Sequence, residues 1–170
     1  MAGHNSIKMT ELSLLYKRLG FKYIKTYVQS GNVIFKADEA VSEKETAQKI
    51  EAEIFRKYGY TVPVMIRSIE EIKSLLKTNP YLATPDFDPS KMAVIFLHEV
   101  VTDLQNEKMR NVNYPPDKFQ ITGREIFIYC PDGFGRTRLY TNFFENKMKV
   151  TGTARNWKTI KTILSLAEGF

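Results

Sequence analysis

Met92 to Leu97 is an unbroken apolar run, and it suits a strand buried on both faces. The patterns after it alternate between helix and strand. Residues 103–111 read as a short helix. Residues 119–122 and 125–129 form a hairpin around Gly123. Pro131-Asp132-Gly133 then turns the chain into a helix predicted over about 137–148. A last helix is predicted over about 154–167, with room for a short strand before it. This half reads β-α-β-β-α.

The first part has a related order. Met9, Leu12, Leu15, Tyr16 and Leu19 recur at helical spacing, and Gly20 follows as a C-cap. Two strands, 23–28 and 32–35, flank the turn Gln29-Ser30-Gly31-Asn32, where Gly31 supplies a positive φ. Ser42 is read as the N-cap of a second helix, with Glu45 at the capping-box position. The inward face of that helix is expected to be Ala47, Ile50, Ile54 and Phe55, and its end lies near Tyr58-Gly59. A third strand is expected over 62–66, so this part reads α-β-β-α-β. Ser68 caps a further helix with Glu71, Ile69, Ile72, Leu75 and Leu76 face inward, and Asn79-Pro80 stops it.

Both parts resemble a βαββαβ unit. The expected architecture is α/β in the α+β sense: two tandem ferredoxin-like units, the first missing its opening strand. The alternative is one mixed sheet with helices on one face. The expected division is 1–67 for the first unit, 68–90 for a helix and a proline-containing connection, and 91–170 for the second.

Composition excludes several classes. The single cysteine, Cys130, permits no internal disulfide and no thiolate metal cluster. It reads as a small buried hydrophobe rather than a nucleophile. His4 and His98 are the only histidines, and spacing gives neither a partner for a dyad or a metal. No catalytic residue, metal or cofactor is assigned. There is no signal-like or membrane-spanning apolar stretch, so a cytoplasmic location and no membrane partner are expected. Neither a P-loop nor a dinucleotide fingerprint occurs, and the hairpins lack the signature of an RNA recognition motif.

Charge is more specific. Between Gly135 and Lys161 stand Arg136, Arg138, Lys147, Lys149, Arg155, Lys158 and Lys161 against the single Glu145. That local excess equals the chain's whole formal net charge of +6. It focuses positive potential on one part of the surface. Two helix starts lie in this stretch. Gly133-Phe134-Gly135 is expected to open one, with Arg136 and Arg138 beside its first turn. Thr153 is expected to cap the other, followed by Arg155, Asn156 and Lys158. Free N–H groups at a helix start favour an anion. The expected anion-binding set is Gly135, Arg136, Arg138, Thr153, Arg155, Asn156 and Lys158. Leu139, Tyr140, Phe143, Phe144 and Met148 are expected to face a core, as are Trp157, Ile160, Ile163, Leu164 and Ala167. Gln29, Ser30 and Asn32 form a possible recognition turn, although turn chemistry alone accounts for Ser30 and Asn32.

The segments Tyr27-Val28-Gln29-Ser30-Gly31-Asn32-Val33-Ile34-Phe35, Thr141-Asn142-Phe143-Phe144-Glu145-Asn146-Lys147 and Thr153-Ala154-Arg155-Asn156-Trp157-Lys158-Thr159 resemble a bacterial family described as a domain of unknown function, DUF1697. The resemblance covers nearly the whole chain. It implies a two-part α/β fold of ferredoxin-like character and no particular reaction. It also shows a departure. The family opens with a hydrophobic strand, whereas Met1-Ala2-Gly3-His4-Asn5 matches the segment after that strand. The shortened N-terminal sheet is then expected to close up or to pair with another chain.

The leading functional expectation is non-catalytic binding of an anionic partner, nucleic-acid backbone or a phosphorylated small molecule, through residues 135–161. An enzyme acting on a phosphorylated or carboxylated metabolite is the first alternative. A homo-oligomeric structural module is the second, with the basic segment as its interface or the N-terminal sheet edge as the place of pairing.

Overall fold

The computed structural model describes residues 6–27 and 31–169. It is an α+β protein with six α-helices and two antiparallel sheets, of two and four strands, among the described residues. The chain divides into two compact units. Unit 1 comprises Met1–Glu71 with Thr162–Phe170, and unit 2 comprises Ile72–Lys161.

Unit 1 begins with α1, Met9–Arg18. Gly20 follows it at φ +91°, a conformation that glycine adopts without steric cost. Strands β1 (Lys22–Tyr27) and β2 (Asn32–Lys36) pair antiparallel, with an irregularity between Lys22 and Lys25. Helix α2, Glu43–Tyr58, starts as expected, for Ser42 Oγ accepts from the Glu45 backbone N–H at 3.1 Å. It ends at Gly59, which is left-handed at φ +71°. Ile7, Leu12, Leu15, Tyr16, Phe21, Ile50 and Ile54 make the core of this unit.

Two expectations fail here. Phe55 is 59% exposed, because the buried stripe of α2 runs through Thr46, Ala47, Ile50 and Ile54 and leaves Phe55 about 100° away from Ile54. Residues 62–66 form no strand. Val62, Val64 and Ile66 still pack on the core, and the Val64 N–H donates to Glu51 Oε1 at 2.9 Å. Alternation places their side chains. A strand also requires a ladder, and among the described residues the sheet of this unit contains only β1 and β2.

Helix α3, Ile69–Thr78, carries the expected reciprocal cap. The Glu71 N–H donates to Ser68 Oγ and the Ser68 N–H to Glu71 Oε1, both at 3.1 Å. Of its expected inward residues Leu75 is buried, Ile72 and Leu76 are half-buried, and Ile69 is exposed.

Unit 2 has the order β3 (Met92–Leu97), α4 (Asp103–Met109), β4 (Lys118–Thr122), β5 (Glu125–Tyr129), α5 (Thr141–Met148) and β6 (Gly152–Asn156). The sheet order is β4-β5-β3-β6, antiparallel throughout. The apolar run thus occupies an interior strand, as its composition demands. Opposed residues share a face, so the register sorts the side chains. Ile95 and Leu97 lie on one face with Ile126, Ile128, Gly152 and Ala154. Phe144, Met148, Leu139 and Met109 pack on this face. Val94 and Phe96 lie on the other, with Phe127, Thr153 and Arg155. There Tyr129, in register with Met92, stacks with Tyr81 and Phe87 at 5.7 and 5.5 Å between ring centroids. Helix α6, Trp157–Glu168, follows β6 directly.

Candidate anion-binding surface

Neither expected helix start lies where the sequence places it. Helix α5 begins at Thr141 rather than near 137. Thr137 is buried, and its hydroxyl accepts from the Leu139 N–H at 3.0 Å and from Cys130 Sγ at 3.4 Å. This residue ties the loop to β5 instead of opening a helix. Gly133 makes the turn, at φ +89° with its N–H on Cys130 O at 2.8 Å. Gly135 is exposed and faces open space.

Helix α6 starts three residues later than expected. Asn156 is its cap, since Oδ1 accepts from the Thr159 N–H at 2.8 Å. Thr153 and Arg155 belong to β6. Arg155 opposes Val94, so it projects from the sheet face away from α4 and α5. Its Nη1 donates to Thr153 Oγ1 and to Ala154 O, each at 2.7 Å, and burial lowers the pKa of the guanidinium. Lys158 is exposed in the first turn of α6.

Arg138 lies on the opposite side from Arg155. Its guanidinium sits 5.2 Å from the Tyr114 ring centroid. Tyr114 packs edge-on to Phe143 and onto the core beneath α4 and α5. Arg136 is exposed and makes no ion pair among the described residues. The expected set is thus divided by the sheet, with Arg138 on one face and Thr153 and Arg155 on the other. In the possible recognition turn, Gln29 and Ser30 lie outside the described residues. Asn32 is buried and its Nδ2 donates to Tyr27 O at 3.0 Å, which closes the hairpin.

A cleft that sequence patterns do not reveal opens over α4 and α5, and its lining residue Phe143 meets the Tyr114 ring that lies under Arg138. It is open to solvent, has a volume of about 960 Å³, and is lined by Lys108, Tyr140, Asn142, Phe143, Asn146 and Lys147. Lys108 comes from α4 and the rest from α5 and its N-cap. The position of α5 is set by Phe144 and Met148, both fully buried, and by Gln105 Nε2, which donates to Met148 O at 3.3 Å. Tyr140 is 56% exposed, contrary to the core role expected of it. It precedes the helix with extended backbone angles, so helical phase does not govern its direction. Phe143 is half-buried rather than fully so.

The lining contains two ammonium groups and no carboxylate. The acids adjacent in sequence are engaged elsewhere. Arg110 Nη1 donates to Glu107 Oε1 at 2.8 Å, and Glu145 Oε2 accepts from the Gly152 N–H at 3.2 Å. Lys108 and Lys147 make no ion pair among the described residues. Positive charge here is therefore not neutralised by an ion pair among the described residues.

Cys130 is fully buried, and burial is the main cause that pushes its thiol pKa up, against the opposing contact from Thr137. Native protein at pH 8 should resist iodoacetamide, and urea-unfolded protein should be alkylated at the rate of a free thiol. Mass spectrometry showing equal rates would contradict this burial. Among the described residues no cluster of three metal-ligating side chains occurs. No helix of the described residues is long and apolar enough to cross a membrane.

These features define an α+β protein with an open cleft beside α4 and α5 in its second unit. A family described as protein of unknown function, DUF1697, matches residues 1–127, and the chain belongs to that family. Lys108 falls inside the matched residues, and α5 lies beyond them. None of the curated proteins matches the sequence. The solved structure of the conserved bacterial protein SP0830 from Streptococcus pneumoniae has a similar fold, with a TM-score of 0.75 at 20% identity over 98% of this chain and 92% of that one. At that identity the likeness establishes the fold alone.

Proposed function

We propose that the chain is a non-catalytic binding protein for an anionic partner, either nucleic-acid backbone or a phosphorylated small molecule, held on the α4–α5 side of unit 2. The observation that carries this reading is the acid-free cleft with Lys108 and Lys147 on its walls, neither of them ion-paired among the described residues. Arg138 extends the same surface. Its guanidinium lies 5.2 Å from the Tyr114 ring centroid and makes no ion pair among the described residues, so its donors are available to a phosphate. The double variant Lys108→Glu/Lys147→Glu tests the proposal. Both side chains are exposed, so the fold should survive. Affinity for a fluorescent single-stranded oligonucleotide at low salt should fall roughly tenfold to a hundredfold, since two attractions become two repulsions. Unchanged affinity in anisotropy titrations would remove the cleft from the reading.

A second reading rests on the sheets. Unit 1 repeats the order of unit 2 from α4 onwards, with residues 62–66 in the place of β6. We read the chain as two tandem ferredoxin-like units, the first without a counterpart of β3 among the described residues. In unit 2 that strand separates β5 from β6. The corresponding place in unit 1 adjoins β2, an apolar strand whose edge suits pairing with a second copy. Sedimentation over a wide concentration range should then show mass rising toward a dimer. A constant monomer mass would oppose homo-oligomerisation through this edge.

A further inference from the structure

Four chemistries meet in the α4–α5 cleft. Tyr140 presents an aromatic ring that is 56% exposed. Its side chain makes no capping hydrogen bond to α5, so the helix does not require it there. Phe143 forms an apolar floor, fixed edge-on by Tyr114 at 5.8 Å and Phe144 at 5.3 Å between ring centroids. Asn142 and Asn146 stand four residues apart, on one face of α5. Each amide offers donors and an acceptor. Lys108 and Lys147 supply charge from two different helices.

A bare phosphate uses only the last of these. A carboxylated aliphatic ligand uses the lysines and the floor, and leaves the exposed ring and the amide pair idle. A nucleotide uses all four. Its base has one π-face for Tyr140, an apolar body for the Phe143 floor and an edge of donors and acceptors for the asparagines, and its phosphate meets ammonium groups. We infer that the cleft binds a nucleotide, reading an unpaired base through Tyr140, Asn142 and Asn146 and its phosphate through Lys108 and Lys147. This rests on the anion-binding reading above and narrows it. A base in a duplex is already stacked and paired, so the site favours a single strand or a free nucleotide.

Two oligomers of equal phosphate count separate the inference from the reading beneath it. One is a short fluorescent oligothymidylate, and the other is the same backbone with every base removed. The oligothymidylate should bind about tenfold more tightly, the scale of one stacked base. Tyr140→Ser, and separately Asn142→Ala/Asn146→Ala, should bring it close to the affinity of the base-free oligomer, with circular dichroism unchanged. Competition by thymidine monophosphate would identify free nucleotide as a ligand. Preference for the base-bearing oligomer without that competition would identify single-stranded nucleic acid. Equal affinity for both oligomers, or a preference that survives both sets of substitutions, overturns the inference and leaves the anion reading standing. Failure of both oligomers to bind at low salt overturns the two together.

Discussion

Phe144→Ala should cost about 3–5 kcal/mol of stability, the range for truncating a fully buried aromatic residue. Phe144 has no solvent exposure. Its ring meets Phe119 at 5.4 Å and Phe143 at 5.3 Å, both edge-on, and lies in the cluster of Ile95, Leu97, Ile126 and Ile128. The cavity would open beneath α5, so the variant should also weaken binding in the cleft. Domains of this size have roughly 5–15 kcal/mol in total, and the loss is a large fraction of that. Urea denaturation should show a lower midpoint with a similar slope. A loss below about 1 kcal/mol would mean that α5 is not anchored by this ring.

Gly152→Val should cost about 3 kcal/mol or more, for the opposite reason. A Cβ on Gly152 would lie 2.7 Å from Ile95 Cγ2, 3.1 Å from Leu97 Cδ2 and 3.4 Å from Phe96 O. Both side chains are 1% exposed, and Ile95 is stiff at χ1. They cannot move aside without disturbing β3. Overpacking by a methylene or two already costs about 1–3 kcal/mol, and valine adds three carbons. Gly135→Ala is the control. A Cβ there meets nothing within 4 Å, so stability should change by less than about 0.5 kcal/mol. If valine at 152 were tolerated like alanine at 135, β6 would not sit against β3 as described.

Local chemistry in the sequence anticipates much of this fold. Ser42, Ser68 and Gly59 mark helix ends because caps depend on neighbours along the chain. Gly123 marks the β4–β5 hairpin at φ +62° for the same reason. Pairing is beyond the reach of local chemistry. Residues 62–66 alternate like a strand, but a ladder needs a neighbour far away in sequence. Strand β6 gives a weak signal because on the face it shares with Ile95 and Leu97 it carries only Gly152, fitted against both side chains, and the exposed Ala154. The helix predicted from about 137 begins later because tertiary burial gives the Thr137 hydroxyl another task.

The candidate site is legible in part. The local excess of positive charge falls on the stretch that supplies Tyr140 to Lys147, one side of the cleft. It cannot sort that stretch between the two faces of a sheet, and Arg155 falls on the face away from Arg138. The cleft itself is hidden because Lys108 is brought to Tyr140 and Asn142 only by packing of α4 beside α5. Tyr140 is misread from helical phase because the helix begins one residue after it.

The central claim is that un-neutralised cations on the α4–α5 side hold an anion, and a salt titration tests it most directly. Affinity for a single-stranded oligonucleotide, measured by anisotropy from about 20 to 300 mM salt, should fall linearly on logarithmic axes, with a slope of about −0.7 per phosphate contact. Lys108, Lys147 and Arg138 together give a slope near −2. No binding at the lowest salt, or binding that salt leaves unchanged, would contradict the account.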